Sequence, residues 1–184
     1  MRNKYIFILT ITIVSTFFLS LASEGFKEMK RKNVEIDKKK NILSAIGVAI
    51  DNFSVDDIDE YFQSNIDSLI INTDGLVVDN ISIEDLKEVE NKSTGEVRYF
   101  YENNEFLPLY IETKENVIIM PISGKGLWSS LFGYFALDAD NYSTVKGITF
   151  YAHAETPGLG AEISKKWFQD NFVNKEIYLS LIHI

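Results

Sequence analysis

An uncharged run near the N-terminus constrains the fold of this chain more than any other feature. Tyr5–Ala22 (YIFILTITIVSTFFLSLA) contains 18 consecutive residues without a charge. As an α-helix this run would be about 27 Å long, close to the hydrocarbon thickness of a bilayer. The alternative is a cleaved signal peptide ending at the small residues Ser20-Leu21-Ala22. Because the run is longer than a usual signal-peptide core and no helix-breaking residue follows it, the sequence favours a membrane anchor at residues 1–23.

Charge is divided unevenly along the chain. Residues 1–40 carry a formal net charge of +5, and the remaining residues carry −14. An acidic domain repels the phosphates of nucleic acids, so no nucleic-acid partner is predicted. Seven Lys and Arg residues follow the apolar run within residues 27–40, and two precede it. Counted alone, these flanking charges would keep the domain in the cytoplasm.

Helical patterns dominate the first half of the chain. Residues 24–50 contain no proline and predict a helical stalk that ends near Gly47. Ser54 and Asp57 have the spacing of a capping box, which marks the start of a further helix. Apolar residues at spacings of three and four then predict that this helix continues to near Asn72.

The second half predicts strands. After Gly75, apolar and aromatic runs alternate with turn residues, which is typical of a mostly antiparallel sheet. The predicted strands are residues 76–78, 96–101, 106–111, 117–121, 127–137 and 144–151, followed by a helix at 161–172. The predicted fold class is therefore α+β. Its parts are a transmembrane anchor at residues 1–23, a helical stalk at 24–50, a soluble domain at 51–178 and a tail at 179–184.

The sequence lacks the patterns of most catalytic and metal sites. It contains no cysteine, which excludes disulfides, thiolate metal sites and cysteine nucleophiles. Its two histidines, His153 and His183, form neither a Ser/His/Asp pattern nor a His-x-x-x-His pair. No glycine-rich phosphate loop is present. We therefore assign no catalytic residue and no metal ligand, and expect His153 to lie at the surface or at the end of a strand.

The stretch from 124 to 160 is the most specific part of the sequence. In ETPGLG, Pro157 fixes φ at the second position of a turn and Gly158 supplies a positive φ at the third, which is a type II arrangement. A tight structural turn alone would explain this pattern. Trp128, in GKGLW, would be a core residue if it were judged alone. An aromatic ring beside two glycines, with a Thr-Pro-Gly turn about 30 residues downstream, nevertheless indicates a site for a planar ring.

Several segments together resemble the C-subunit family of the sodium-translocating NADH:quinone oxidoreductase. They are Gly124–Ser129 (GKGLWS), Tyr134–Leu137 (YFAL), Val145–Tyr151 (VKGITFY), Glu155–Gly160 (ETPGLG) and, in the stalk, Ile36–Leu43. The resemblance covers nearly the whole chain. It implies a flavoprotein that carries electrons through FMN between other subunits of a membrane complex, coupled to sodium export. It also implies a single-pass protein of the bacterial inner membrane whose soluble domain faces the periplasm, against the charge count.

The resemblance also implies which residues contact FMN. They are Trp128, Glu155, Thr156, Pro157, Gly158, Leu159 and Gly160. In the family the FMN phosphate is bonded covalently to the threonine of a Ser-Gly-Ala-Thr motif, which these 184 residues do not contain. We expect residues 179–184 (LSLIHI) to be a non-native tail, the acceptor threonine to lie beyond residue 184, and the fragment alone to be inactive. A naturally short relative is the alternative.

Two other functions stay open from the sequence. One is the related G subunit of an ion-pumping ferredoxin:NAD oxidoreductase, which shares the ETPGLG corner but is less similar in the GLW region. The other is a non-enzymatic, membrane-anchored flavin-binding module. The neighbouring genes would distinguish the first alternative, and purification of the full-length protein without a cofactor would favour the second.

Overall fold

A computed structural model describes residues 2–177 and divides the chain into two compact units, residues 1–38 and 39–184. The first unit is helical. Helix α1 spans Arg2–Gly25, and every residue of it from Asn3 onward is exposed. Among the described residues, Asn3–Gly25 is the one helix whose length and composition would let it cross a membrane, with a mean hydropathy of 2.2.

Helix α2 spans Lys27–Ala45 and continues almost directly from α1. The backbone of Phe26 joins them, because its N–H donates to Ala22 O at 3.0 Å and its carbonyl accepts from Lys30 N–H at 2.9 Å. The last residues of α2 belong to the second unit, where Ile42 and Leu43 are fully buried.

Helix α3 spans Val55–Asn65 and begins at the predicted capping box. Asp57 N–H donates to Ser54 Oγ at 3.2 Å, and Ser54 N–H donates to Asp57 Oδ2 at 2.8 Å. These bonds satisfy two of the amide donors that a helix start leaves free. The predicted cap is thus confirmed.

Seven antiparallel strands form the sheet of the second unit. They are β1 (Ile66–Asn72), β2 (Lys87–Glu90), β3 (Val97–Tyr101), β4 (Asn104–Glu112), β5 (Val117–Lys125), β6 (Ser130–Asp138) and β7 (Val145–Ala152). Strands β2 to β7 follow one another in chain order across the sheet, and β1 pairs with β4. The predicted α+β class with a mostly antiparallel sheet is confirmed.

The end of α2 packs closely against strand β7. Gly147 is buried, and a Cβ on it would overlap the carbonyl oxygen of Ala45. The Thr149 hydroxyl donates to Asn41 O at 3.4 Å and accepts from Tyr134 N–H at 3.3 Å. The absence of a side chain at Gly147 therefore lets helix and sheet approach to backbone contact.

Tyrosine rings continue this face across the sheet. Tyr134 on β6 stacks on Tyr151 of β7, with ring centroids 5.5 Å apart, and meets Tyr110 of β4 edge-on at 6.3 Å. Phe62 of α3 meets Tyr110 edge-on at 6.2 Å. Burial, reinforced by the neighbouring phenols and Glu88, raises the pKa of Tyr134 far above its ordinary value.

The predicted helix through Asn72 is wrong in its second half. Helix α3 ends at Asn65, and Ile66–Asn72 is strand β1. The apolar residues of this segment fit a helical spacing, but pairing with β4, in which Ile66 lies opposite Glu112, selects the extended form. Strand β2 was not predicted at all. The strand predicted at 76–78 is reduced to a single bridge between Ile71 and Val77.

The helix predicted at residues 161–172 is also wrong. The chain forms a 3₁₀ helix at Gly160–Ser164 and one turn of α-helix, α4, at Lys166–Gln169. Lys165 separates them with an extended backbone, at φ −86° and ψ 142°. The predicted tail at 179–184 lies outside the described residues.

Candidate functional site

The turn predicted in ETPGLG is present, and residues 155–160 are called the Thr156 corner below. Thr156 O accepts from Leu159 N–H at 3.1 Å and from Ala161 N–H at 3.2 Å. Gly158 has φ +75°, as the third position of a type II turn requires. A Cβ on Gly158 would meet no atom within 4 Å, so this glycine supplies backbone conformation and leaves the outer face of the corner open.

Glu155 ties this corner to the loop that carries Trp128. Trp128 N–H donates to Glu155 Oε1 at 3.0 Å. A Cβ on Gly126 would overlap the same oxygen, and a Cβ on Gly160 would lie 2.8 Å from Glu155 Oε2. The carboxylate therefore fits between two glycines that lie 34 positions apart in the sequence. Gly160 thus leaves room for the side chain of Glu155.

Ser129 makes a second connection between the same two segments. Its hydroxyl accepts from Ala154 N–H at 2.7 Å and donates to Ser130 O at 3.0 Å. Gly126 N–H donates to Ser129 O at 2.8 Å and closes residues 126–129, called the Trp128 loop below. Strand β6 begins only at Ser130, so Trp128 lies in a loop and not in the strand predicted from 127. Sequence reasoning missed Ser129, since a serine beside a tryptophan carries no distinctive signal.

His153 lies directly after the last residue of β7, as expected, and its ring contacts the Thr156 corner. Its Nδ1 accepts a hydrogen bond from Glu155 N–H at 3.3 Å. A neutral imidazole that accepts at Nδ1 carries its proton on Nε2. His153 thus holds the backbone of the residue whose carboxylate joins corner and loop.

The apolar side chains of the loop and corner lie uncovered in solvent. Leu127 is 80% exposed, Trp128 68% and Leu159 74%. Trp128 is therefore not a core residue. Large apolar side chains grouped on the surface mark binding sites more often than scattered ones do. Thr156 and Gly158 are also exposed, so the corner presents one hydroxyl and bare backbone beside these side chains.

This donor set fits a planar, polar-edged ring such as that of FMN. The indole of Trp128 and the side chain of Leu159 can cover apolar ring surface, while Thr156 offers a hydroxyl to a ring edge. Glu155 already accepts a hydrogen bond from Trp128 N–H and lies between Gly126 and Gly160. It therefore connects the Trp128 loop to the Thr156 corner. Among residues 2–177, no group of three His, Cys, Asp or Glu side chains is placed to hold a metal ion.

Comparisons with known proteins point to the same cofactor. Residues 126–178 match the FMN-binding domain family, a range that includes both the Trp128 loop and the Thr156 corner. Over 184 aligned residues the chain is 28% identical to the C subunit of the Na(+)-translocating NADH-quinone reductase of Pasteurella multocida, covering 93% of this chain and 70% of that protein. The corresponding protein of Pseudomonas aeruginosa is also 28% identical, with 92% and 70% covered.

Solved structures show the same fold. The C subunit of the reductase from Parabacteroides distasonis superimposes with a TM-score of 0.65 at 28% identity, covering 84% of this chain and 71% of that one. The Shewanella oneidensis NqrC structure has the same fold, with a TM-score of 0.60 at 21% identity. The predicted resemblance and the predicted cofactor, FMN, are both confirmed. The chain is similar to the C subunits of Na(+)-translocating NADH-quinone reductases over most of its length, and its residues 126–178 match the FMN-binding domain family.

Proposed function

We propose that this chain is a membrane-anchored flavoprotein subunit of a Na⁺-translocating NADH:quinone reductase. In this role it carries electrons through one FMN between other subunits of the complex, coupled to sodium export. The similarity to the C subunit of such a reductase, over 93% of the chain, supports the assignment to this kind of complex. The apolar helix Asn3–Gly25 supports the anchor. When bound, FMN supplies the electron-transfer chemistry, and the protein supplies its position and surroundings.

The observation that carries this proposal is that two segments with exposed apolar side chains are joined by the carboxylate of Glu155. Trp128 and Leu159 present apolar surface, and Glu155 bridges their two segments through Trp128 N–H and the space beside Gly160. In our proposal the indole and the leucine cover the flavin ring, and Thr156 contacts its edge. None of these side chains needs to exchange a proton or an electron, so their role is to place the ring and to exclude water.

Titration of FMN into the full chain in detergent micelles tests this site. Trp128→Ala is expected to weaken FMN binding about tenfold, since a buried aromatic contact contributes on the order of 1–2 kcal/mol. Trp167→Ala is the matched control. Trp167 is 61% exposed, and its Nε1–H donates to Glu162 Oε2 at 3.1 Å, so it is an exposed indole with a partner of its own. Equal affinities in the two variants would remove Trp128 from the site.

The orientation of the domain is a separate proposal. We place it in the periplasm, following the family and against the excess of Lys and Arg after the apolar helix. An alkaline phosphatase fusion after residue 172 should then be active, while a cytoplasmic reporter fused at the same residue should be silent. The reverse pattern would show that the positive flank decides the topology.

A further inference from the structure

We propose that the β2–β3 hairpin, residues 87–101, positions the Trp128 loop by contacting the chain at both ends of the loop. The inference deepens the proposed function and rests on it, because a positioning role has meaning only if the loop forms a wall of the FMN site. The hairpin contacts residues 123–130 through Glu90, Lys92, Gly95 and Val97, and these contacts flank both ends of the loop. No pattern in the sequence predicted them.

The first contact is a close approach of two backbones. Gly95 is buried and has φ +71°. A Cβ on it would lie 2.5 Å from both C and O of Gly124, and 2.7 Å from Lys125 N. These are backbone atoms, which cannot move aside as a side chain can. Gly95 therefore lets the turn of the hairpin rest directly on the chain that leads into the Trp128 loop.

Two hydrogen bonds lie on either side of this approach. Val97 N–H donates to Ser123 Oγ at 2.7 Å, before the loop begins. Ser130 Oγ donates to Glu90 Oε1 at 2.5 Å, directly after the loop ends. Ser130 is buried, and an alcohol–carboxylate bond of this length is of the stronger, charge-assisted kind.

The sheet register explains why the hairpin can reach this loop. Strand β4 pairs with β5 only at Tyr110–Glu112, opposite Val117–Ile119. The later residues of β5, up to Lys125, pair with β6 on one side. On the other side, the start of β3 and the turn before it take the place that β4 leaves. The hairpin turn itself is well defined, since Gly95 N–H donates to Asn91 O at 2.7 Å.

The loop is consequently held by two sets of contacts. Glu155 and Ala154 bond to Trp128 and Ser129 of the loop itself, and the hairpin holds the chain at both of its ends. A displacement of the hairpin would move Trp128 relative to Leu159 without breaking the corner. Misplacing a binding group by about 1 Å can cost up to about a hundredfold in function, so such a displacement has measurable consequences.

Gly95→Ala tests the proposal, with Gly75→Ala as the matched control. Gly75 has φ +78°, close to that of Gly95, but a Cβ on it would meet nothing within 4 Å. Both substitutions carry the same backbone strain, and only Gly95→Ala pushes on Gly124. In the full chain in detergent, Gly95→Ala should speed amide hydrogen exchange at residues 126–129 at least about tenfold relative to Gly75→Ala. Equal exchange in the two variants overturns the proposal.

The same variants separate this inference from the proposed function. If FMN binds the wild-type chain and Gly95→Ala weakens it about tenfold beyond Gly75→Ala, the hairpin positions the flavin wall. If binding is lost in Trp128→Ala but unchanged in Gly95→Ala, the FMN site stands and the positioning role is overturned. If FMN does not bind at all, the FMN site falls, and hydrogen exchange alone decides whether the hairpin fixes the loop.

Glu90 gives a second measurement that does not depend on a glycine. Glu90→Ala removes the acceptor of the Ser130 hydroxyl, whereas Glu90→Gln keeps an oxygen at that place. Exchange at residues 126–129 should rise in Glu90→Ala and return towards the wild-type rate in Glu90→Gln. The indole fluorescence of Trp128, recorded in a Trp167→Phe background, should shift more in Glu90→Ala than in Glu90→Gln. Identical spectra for both Glu90 variants would contradict the role of this hydrogen bond.

Discussion

Two close contacts in this molecule each place a glycine against an oxygen atom, but the oxygens differ in kind. In the core, a Cβ on Gly147 would overlap the backbone carbonyl of Ala45 at the end of α2. In the candidate site, a Cβ on Gly126 would overlap a carboxylate oxygen of Glu155. The core contact is buried, while the site contact joins two segments whose apolar side chains lie in solvent.

The difference indicates how each region is fixed. The Ala45 carbonyl can move only with its helix, so folding of the second unit determines that contact completely. The Glu155 side chain can rotate about its own bonds, so the separation of the Trp128 loop from the Thr156 corner depends on the partners of this carboxylate together with the Ser129–Ala154 hydrogen bond. Substitutions in the core should therefore reduce stability, and substitutions in the site should reduce ligand affinity.

The largest expected difference is between two leucines. Leu43 is fully buried and Leu159 is 74% exposed. Leu43→Ala should lower the free energy of unfolding by about 3 kcal/mol, because the cavity adds to the lost transfer free energy. Leu159→Ala should change it by less than about 0.5 kcal/mol and weaken FMN binding. Urea denaturation and FMN titration of the full chain in detergent measure both effects. A large loss of stability in Leu159→Ala would show that the site, like the core, determines the stability of the fold.

The glycines themselves provide the next test. Gly147→Ala should destabilise the protein by about 2 kcal/mol, since the added methyl group meets backbone. Gly126→Ala should cost less, because its closest neighbour, a Glu155 carboxylate oxygen, can rotate away, and Ser129 O, at 2.9 Å, is farther than Ala45 O is from a Cβ on Gly147. It should also disturb the bond to Trp128 N–H and lower FMN affinity. Thermal unfolding and FMN titration separate the two. If Gly126→Ala proves as destabilising as Gly147→Ala, the site is as rigid as the core.

The structural features that the sequence predicted correctly depend on residues close together in the chain. The capping box of Ser54 and Asp57 and the turn at Gly158 each depend on residues within four positions, and both form as predicted. Propensity and turn chemistry act over this range, so no tertiary information was needed. Trp128 and the ETPGLG corner could likewise be selected from the sequence.

The errors and omissions concern partners that are distant in the chain. The apolar spacing of β1 fits both a helix and a strand, and pairing with β4 decides between them. The Ser129–Ala154 bond and the contact of Gly95 with Gly124 span 25 and 29 positions. Single-sequence patterns carry no signal for such contacts. The role of Glu155 as a bridge was missed for the same reason, although the residue itself was selected.

Removing the carboxylate of Glu155 should have a moderate effect on stability. Glu155→Ala loses a charge-assisted hydrogen bond from Trp128 N–H in a half-buried place, which corresponds to roughly 1.5 kcal/mol. It also empties the space between Gly126 and Gly160, so FMN affinity should fall about as much as in Trp128→Ala. Glu155→Gln keeps an acceptor oxygen, so it should retain most of the stability and most of the FMN affinity of the wild-type chain. An unchanged affinity in Glu155→Ala would show that the carboxylate does not set the separation of the walls.

The smallest effect is expected at the cap of α3, an exposed polar contact that is not part of the site. Ser54→Ala should cost about 1 kcal/mol at neutral pH, the usual value for a lost helix cap.

The backbone N–H and the hydroxyl of Ser54 hold the pKa of Asp57 below its ordinary value. A carboxylate with a lowered folded-state pKa adds stability above its unfolded pKa of about 3.9, and this stability is lost as the pH falls through the folded value. The cost of Ser54→Ala should therefore shrink between pH 6 and the acid limit, as measured by urea denaturation at about pH 6, 4 and 3. A cost that does not depend on pH would mean that the Ser54 hydroxyl does not act through Asp57. A change in FMN affinity in Ser54→Ala would mean that exposed contacts outside the FMN site also affect that site.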